Sequence, residues 1–337
     1  MPERPVRLAL TIGDPGGVGP ELAAAILGDG REDAVFCVIG STAALDRALP
    51  GSSRGRLPVV TAEEWAADFA APGRPAIVDT AGLLDPPPGR PSREGGLVAG
   101  RAIETAVRLA ESGAVEGIVT GPISKEGLSL AGYPWRGHTD MLAGLLDAPD
   151  CQMVMVSGPL RIVILTRDIP LADVPALITP ERIATGVRVT AAALTGLWGI
   201  EEPRIAVSAL NPHAGDGGLN GREEIDVIAP ALEALVAEGF RVGGPIPADT
   251  LFYRWEEKGW DACIALYHDQ GMIPFKMKGF SNGVNMTIGL PTVRTSVCHG
   301  TAYDIAGRGE ADPGSMRAAV GLAVECCRVR RRRGDAS

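Results

Sequence analysis

The chain has 337 residues and a formal net charge of −9, from 32 Lys and Arg against 41 Asp and Glu. A general nucleic-acid binder needs a basic face that releases counterions from phosphate, so this charge excludes that class. No apolar run reaches the ~18 residues of a membrane span, and the opening residues read as running straight into a short strand, which predicts no secretory leader.

The length exceeds what one core usually fills, which predicts two lobes. The six cysteines show no CxxC spacing, and Cys326 and Cys327 are adjacent, so all six read as reduced thiols of a cytoplasmic protein. The run Arg328-Val-Arg-Arg-Arg-Arg333 reads as the cationic end of a last helix or a solvated tail.

A strand is predicted over 8–12, ended by Gly13-Asp14-Pro15-Gly16-Gly17 and followed by a helix from Pro20. Further strands are predicted over 35–39, 75–78 and 116–120, with helices over 42–48 and around 99–110. Four prolines confine 84–91 to a loop. The second half continues with strands over 151–156 and 160–166 joined at Ser157-Gly158-Pro159, and a helix over 180–197. Then come a strand over 204–210, a helix over 223–238, strands over 262–267 and 284–288, and a helix over 315–327. This alternation predicts an α/β protein with a mostly parallel, covered sheet, in which ligands bind beyond the carboxyl ends of strands.

All four histidines, His138, His213, His268 and His299, sit in Gly- or Pro-rich junctions. His213 and His268 follow apolar strands, and Asp168 follows a third, so the three are candidate ligands for a divalent metal. Lys125, Lys276, Arg294 and Arg308 are read as cations that follow strands; with Ser124, Thr139 and Asn285 they are candidates to hold a phosphate or carboxylate. The turn at 13–21 is neither GxGxxG nor a P-loop, and no GxSxG supports acyl hydrolysis.

Nine stretches follow one another in order: TIGDPGGVGPE (11–21), TGPISKEGL (120–128), GHTDMLA (137–143), LNPHAGDGG (210–218), GREE (221–224), GPIPADTLF (244–252), YHDQGMIPFK (267–276), GVNMTIGLPTVRTSVCHGTAYDIAGRG (283–309) and ADPGSM (311–316). Together they closely resemble the 4-hydroxythreonine-4-phosphate dehydrogenase family. The resemblance implies a two-lobed α/β/α fold like the isocitrate and isopropylmalate dehydrogenases, with a cleft between lobes. It implies lobe 1 from 1–140 plus about 296–337, lobe 2 from about 141–295, and a homodimer with shared active sites. The implied reaction is NAD- or NADP-dependent oxidation and decarboxylation of a small phosphorylated substrate, 4-phosphohydroxy-L-threonine, in vitamin B6 synthesis. The implied metal (zinc, magnesium, manganese or cobalt) has His213 and His268 as ligands, with Asp168 where the family usually has histidine. His138, Thr139, Lys276, Asn285 and Arg294 match substrate-binding positions, Asp249 a polar member of the site, and Lys276 a candidate general base. Two other readings stay open: oxidation of 4-phospho-D-threonate or 4-phospho-D-erythronate in sugar-acid catabolism, and a metal-dependent phosphatase.

Overall fold

The computed structural model describes residues 3–49, 57–67, 74–279 and 281–334. The chain divides into two compact units, the first formed by 1–149 with 290–331 and the second by 150–289 with 332–337. In chain order the first unit contains β1 (Val6–Thr11), α1 (Gly19–Gly28), β2 (Ala34–Gly40), α2 (Thr42–Ala48), α3 (Ala62–Ala67), β3 (Ala76–Asp79), α4 (Arg93–Glu111), β4 (Gly117–Thr120), α5 (Lys125–Leu130) and α6 (His138–Leu145). The second follows with β5 (Gln152–Ser157), β6 (Leu160–Ile164), α7 (Val174–Leu177), α8 (Pro180–Trp198), β7 (Arg204–Ser208), α9 (Ala229–Ala237), β8 (Arg241–Ile246), α10 (Ala248–Arg254), β9 (Ala262–Ala265), α11 (His268–Gly279) and β10 (Val284–Ile288). The chain then returns to the first unit for β11 (Val293–Val297) and α12 (Gly314–Gly334).

In the first unit the strand order is β3-β2-β1-β4-β11, every neighbouring pair parallel. β2 and β11 are buried at every position, as strands covered on both faces must be. The stripe Ile103, Ala106 and Val107 of α4 packs with Ile39, Val78 and Ile118 of the strands. Ser92 caps α4 by accepting from Gly95 N. Gly96 lets α5 approach, because a Cβ there would overlap the backbone carbonyl of Gly127.

The second unit runs β10-β5-β6-β9-β7-β8. The predicted hairpin is there: β5 pairs antiparallel with β6, and β10 antiparallel with β5, so this sheet is mixed. The pairs β6–β9, β9–β7 and β7–β8 are parallel. α8 begins with Thr179 accepting from Arg182 N and Pro180 in the first turn, and ends on Gly199 in the left-handed region, φ 71°.

Several bounds differ from those predicted. The contact division at 149/150 and 289/290 places β11 and Arg294 in the first unit, where β11 pairs with β4. Arg294 lies inside a strand rather than after one. The predicted helix over 223–238 begins as a π-helical turn, Glu224–Ile228. The strand predicted to reach residue 267 stops at Ala265, and His268 opens α11. Helices α3, α5, α6, α7, α10 and α11 and strands β8 and β11 had no periodicity strong enough to announce them. The arginine run ends α12, where Arg331 bonds Glu116, Arg328 Glu3 and Arg333 Glu201. All six cysteines are free. Among the described residues no helix is long and apolar enough to cross a membrane.

Candidate active site

The second unit sets three candidate residues along the carboxyl edge of its parallel strands. β6, β9 and β7 are neighbours, with Ile164 opposite Ala265 and Val207 opposite Ile264. Asp168, His268 and His213 follow those three strand ends. Asp249, in the first turn of α10, follows β8, the next strand over; its Oδ1 accepts from Thr250 N at 2.8 Å.

Backbone strain marks this edge. Asp168 has φ 54°, and residues 213–217 all lie in the left-handed region, with His213 at φ 53°, Ala214 at 55° and Asp216 at 45°. Such a conformation costs a residue with a Cβ about 1–2 kcal/mol, so the surroundings must hold it. Buried Glu224 anchors the residues just before the 213–217 run: Oε1 accepts from Leu210 N at 2.8 Å and Asn211 N at 2.7 Å, and Oε2 from Asn211 Nδ2 at 3.0 Å. Gly221, φ 111°, closes the loop where a Cβ would overlap the Asn211 amide.

Both imidazoles of this edge have a carboxylate partner. His213 Nδ1 is 3.2 Å from Asp216 Oδ2, which also accepts from Asn220 Nδ2 at 2.7 Å; His268 Nδ1 is 2.7 Å from Asp269 Oδ1. An ionised carboxylate only accepts, so both Nδ1 atoms carry hydrogen and both Nε2 lone pairs remain for a ligand or a proton. Among the described residues no three His, Cys, Asp or Glu side chains are grouped to hold a metal ion.

Lys276 and Asn285 lie elsewhere in the second unit. α11 runs back along the sheet, with Gly271 against Ile164 and Ala265, and Gly279 against Ser157. Lys276, exposed on this helix rather than at a strand end, leaves it about 12 Å along the axis from His268. Asn285 pairs with Met155, Met155 with Ile162 and Ile162 with Cys263, which sets it level with a point five residues before His268. Asn285 Oδ1 is buried without a partner.

The first unit holds a second group. Arg294 is 1% exposed, and its Nη2 donates to Thr120 Oγ1 at 2.7 Å. Thr120 and Ser296 are joined by a 2.9 Å hydroxyl bond. His138 opens α6, followed by Thr139; its Nε2 is buried without a partner. Burial, then the nearby Arg294 cation, hold its proton affinity well below the ordinary histidine value, so the imidazole is neutral. Lys125 stands beside this group, its Cε 3.8 Å from where a Gly137 Cβ would be.

The neutral imidazole has a measurable consequence. The unfolded chain protonates His138 near pH 6.5 and the folded chain only at lower pH, so its stability contribution is complete above that value. It is lost as pH falls towards the folded-state value. Thermal denaturation between pH 7 and pH 5 is expected to show a shallower fall for His138→Gln than for wild type. Identical slopes would remove His138 as the titrating group.

The turn after β1 forms another feature of the first unit. Asp14, 1% exposed, accepts from Gly16 N at 2.8 Å and Tyr303 Oη at 2.7 Å. Burial pushes its carboxyl up, and burial with Asp14 beside it pushes the Tyr303 phenol up. Beside this turn is a cavity of about 480 Å³ lined by residues including Gly17, Glu21, Arg47, Pro88 and Arg308. Glu21 Oε1 accepts from Gly307 N, while Oε2 is buried without a partner.

Sequence reasoning placed Asp269 and Gln270 with His268 but did not single out Thr166, Glu224, Asp216, Thr120 or Ser296 as parts of these groups. The signal available was the company they keep: each is a polar residue within three positions of a strand or helix boundary, in the stretches that carry the candidate residues.

Parallel strand ends that carry paired imidazoles, and a buried guanidinium beside a neutral histidine, are the furnishings of an α/β enzyme for a small anionic substrate. Comparison makes the class specific. The family described as "Pyridoxal phosphate biosynthetic protein PdxA" matches residues 32–323, and the chain belongs to that family. A 4-hydroxythreonine-4-phosphate dehydrogenase of Caulobacter vibrioides is 46% identical over 334 residues, covering 96% of this chain and 98% of that protein. A Bradyrhizobium diazoefficiens protein, named provisionally as a D-threonate 4-phosphate dehydrogenase, is 44% identical over 94% of this chain and 95% of its own. Among solved structures, the 4-hydroxythreonine-4-phosphate dehydrogenase of Klebsiella pneumoniae has a TM-score of 0.84 at 37% identity, covering 97% of this chain and 99% of that one.

Proposed function

We propose that the chain is an NAD- or NADP-dependent cytoplasmic dehydrogenase that oxidises and decarboxylates 4-phosphohydroxy-L-threonine to 3-amino-2-oxopropyl phosphate in vitamin B6 synthesis. The observation that carries this reading is the end-to-end relation to proteins of that name. In the reaction a hydride leaves the alcohol carbon for the nicotinamide and the hydroxyl proton goes to a base. The β-keto acid then releases carbon dioxide, and the electron pair left on the adjacent carbon is taken up as an enol that gains a proton.

The chain's own groups suit an anionic substrate. Arg294, Thr139 and the unpartnered His138 Nε2 bind its phosphate or carboxylate, Lys276 and Asn285 supply further polar contacts, and Lys276 is the candidate base. The cavity of about 480 Å³ is our assignment for the adenosine half of the cofactor, with Glu21 Oε2 accepting from a ribose hydroxyl. The cleft between lobes that the fold implies is part of the same proposal.

We further propose a homodimer in which each site draws on both copies. What supports it is the separation, in one chain, of Lys276 and Asn285 from the histidine edge. The divalent ion of this proposal would be held by Asp168, His213 and His268. His213→Ala and Lys276→Ala, each inactive alone, are expected to regain about one quarter of wild-type sites when mixed through unfolding and refolding. Heterodimers without activity would assign each site to a single copy.

The identity of the Bradyrhizobium relative favours one second reading, oxidation of a phosphorylated sugar acid by the same chemistry. The test is reduced-nicotinamide absorbance with each cofactor and divalent metal, offering 4-phosphohydroxy-L-threonine, 4-phospho-D-threonate and 4-phospho-D-erythronate separately. Turnover of the first alone supports the main reading, and turnover of a sugar acid alone replaces it. Failure to bind or reduce either cofactor would favour a metal-dependent phosphatase.

A further inference from the structure

Both candidate imidazoles stand on exposed junctions: the His213 side chain is 71% exposed and that of His268 44%. Junctions of this kind are usually mobile, so something beneath must fix them. Backbone pairing does not. The last partners of β7 and β9 are Val207 and Ile264; beyond them β7 leans to β8, where Ala209 N donates to Ile246 O at 2.7 Å, and β9 to β6, where Leu165 N donates to Ala265 O at 2.9 Å. The two strand ends part where His213 and His268 follow.

Gln270 fills the parting. It is 8% exposed; its Oε1 accepts from Leu266 N at 2.7 Å, and its Nε2 donates to Ala209 O at 2.7 Å. A side-chain amide carries one acceptor and a donor group, so it stands in for the peptide unit that the diverging ladder lacks. Thr166 extends the tie to β6, its Oγ1 donating to Leu266 O at 2.6 Å. Glu224 extends it past β7 through Leu210 N and Asn211 N. All three side chains are buried, where an unmet polar partner is costly.

We propose that Gln270 is a positioning residue: its amide locks the His268 and His213 strand ends to each other. The consequence for turnover rests on the dehydrogenase reading, whereas the mechanical coupling does not. Gln270→Leu keeps the approximate size and removes both bonds. Hydrogen exchange of amides 209–217 is expected to quicken at least about tenfold, along with Leu266, while α4 and α8 stay as in wild type. In steady state kcat is expected to fall about 100-fold, the scale of a small misplacement, with KM for the phosphorylated substrate within about threefold.

Unchanged exchange over 209–217, or a kcat that falls only in proportion to folded protein, overturns the proposal. Gln270→Glu retains the acceptor for Leu266 N and loses the donor to Ala209. It is expected to quicken 209–217 while sparing Leu266, and wild-type protection over 209–217 would overturn the cross-strand tie. It also serves if the leucine variant does not fold. If wild-type protein turns over none of the phosphorylated acids, the dehydrogenase reading fails and the exchange experiment still decides the coupling.

Discussion

Arg294→Met is expected to lower kcat/KM for the phosphorylated substrate by about 100-fold, most of it in KM. The guanidinium is buried, and Thr120 Oγ1 fixes one of its nitrogens, so it is oriented before any anion arrives. A charge-assisted contact of this kind contributes about 1.5–3 kcal/mol, and two such bonds to one phosphate exceed what a tenfold effect would need. Methionine fills much of the volume and removes a buried charge, so the fold should not weaken in step with activity. Arg294→Lys is expected to rescue little, because an ammonium cannot hold Thr120 and the anion in the same plane. Calorimetric titration of substrate, alongside kinetics, checks this. A methionine variant with KM within about threefold of wild type would take Arg294 out of the substrate site.

Gly96→Ala should destabilise the protein by about 3 kcal/mol or more. The alanine methyl would occupy the carbonyl of Gly127, and both partners are backbone within packed helices, so neither can swing aside. Parting α4 from α5 also disturbs the ends of both helices: Ser92 and Ser124 cap them, and Asp14 sits against Gly95 and Gly127. Denaturant unfolding measures the effect directly. A midpoint unchanged from wild type would mean that the two helices slide apart at no cost.

Much of this was legible in the sequence because burial writes itself as composition. β2 is an unbroken apolar run and α8 carries a Thr-Pro start and a glycine stop, and both emerged close to where the pattern put them. What stayed hidden has physical causes. α6 and α10 are short helices whose signal is diluted by turn residues. β11 contains Arg294, Thr295 and Ser296, polar residues that a buried strand is not expected to hold; they are accommodated because they bond Thr120 and Ala319 O. As a sequence, the stretch YHDQG reads as three polar groups delivered to one point. In the structure they part: His268 faces out, Asp269 sets its tautomer, and Gln270 turns inward. Periodicity cannot resolve that division within three residues, since it is decided by which strand ends lie underneath.

The broken continuity of the first unit has a consequence for synthesis. β4 bonds β1 on one side and β11 on the other, and Glu116 just before it is held by Arg331 near the end of α12. The ribosome releases these partners at opposite ends of its work. All six strands of the second unit have emerged by residue 288, before β11 exists. The unit begun first is therefore finished last, and the open edge of β4 is a hazard that lasts for most of the chain's birth.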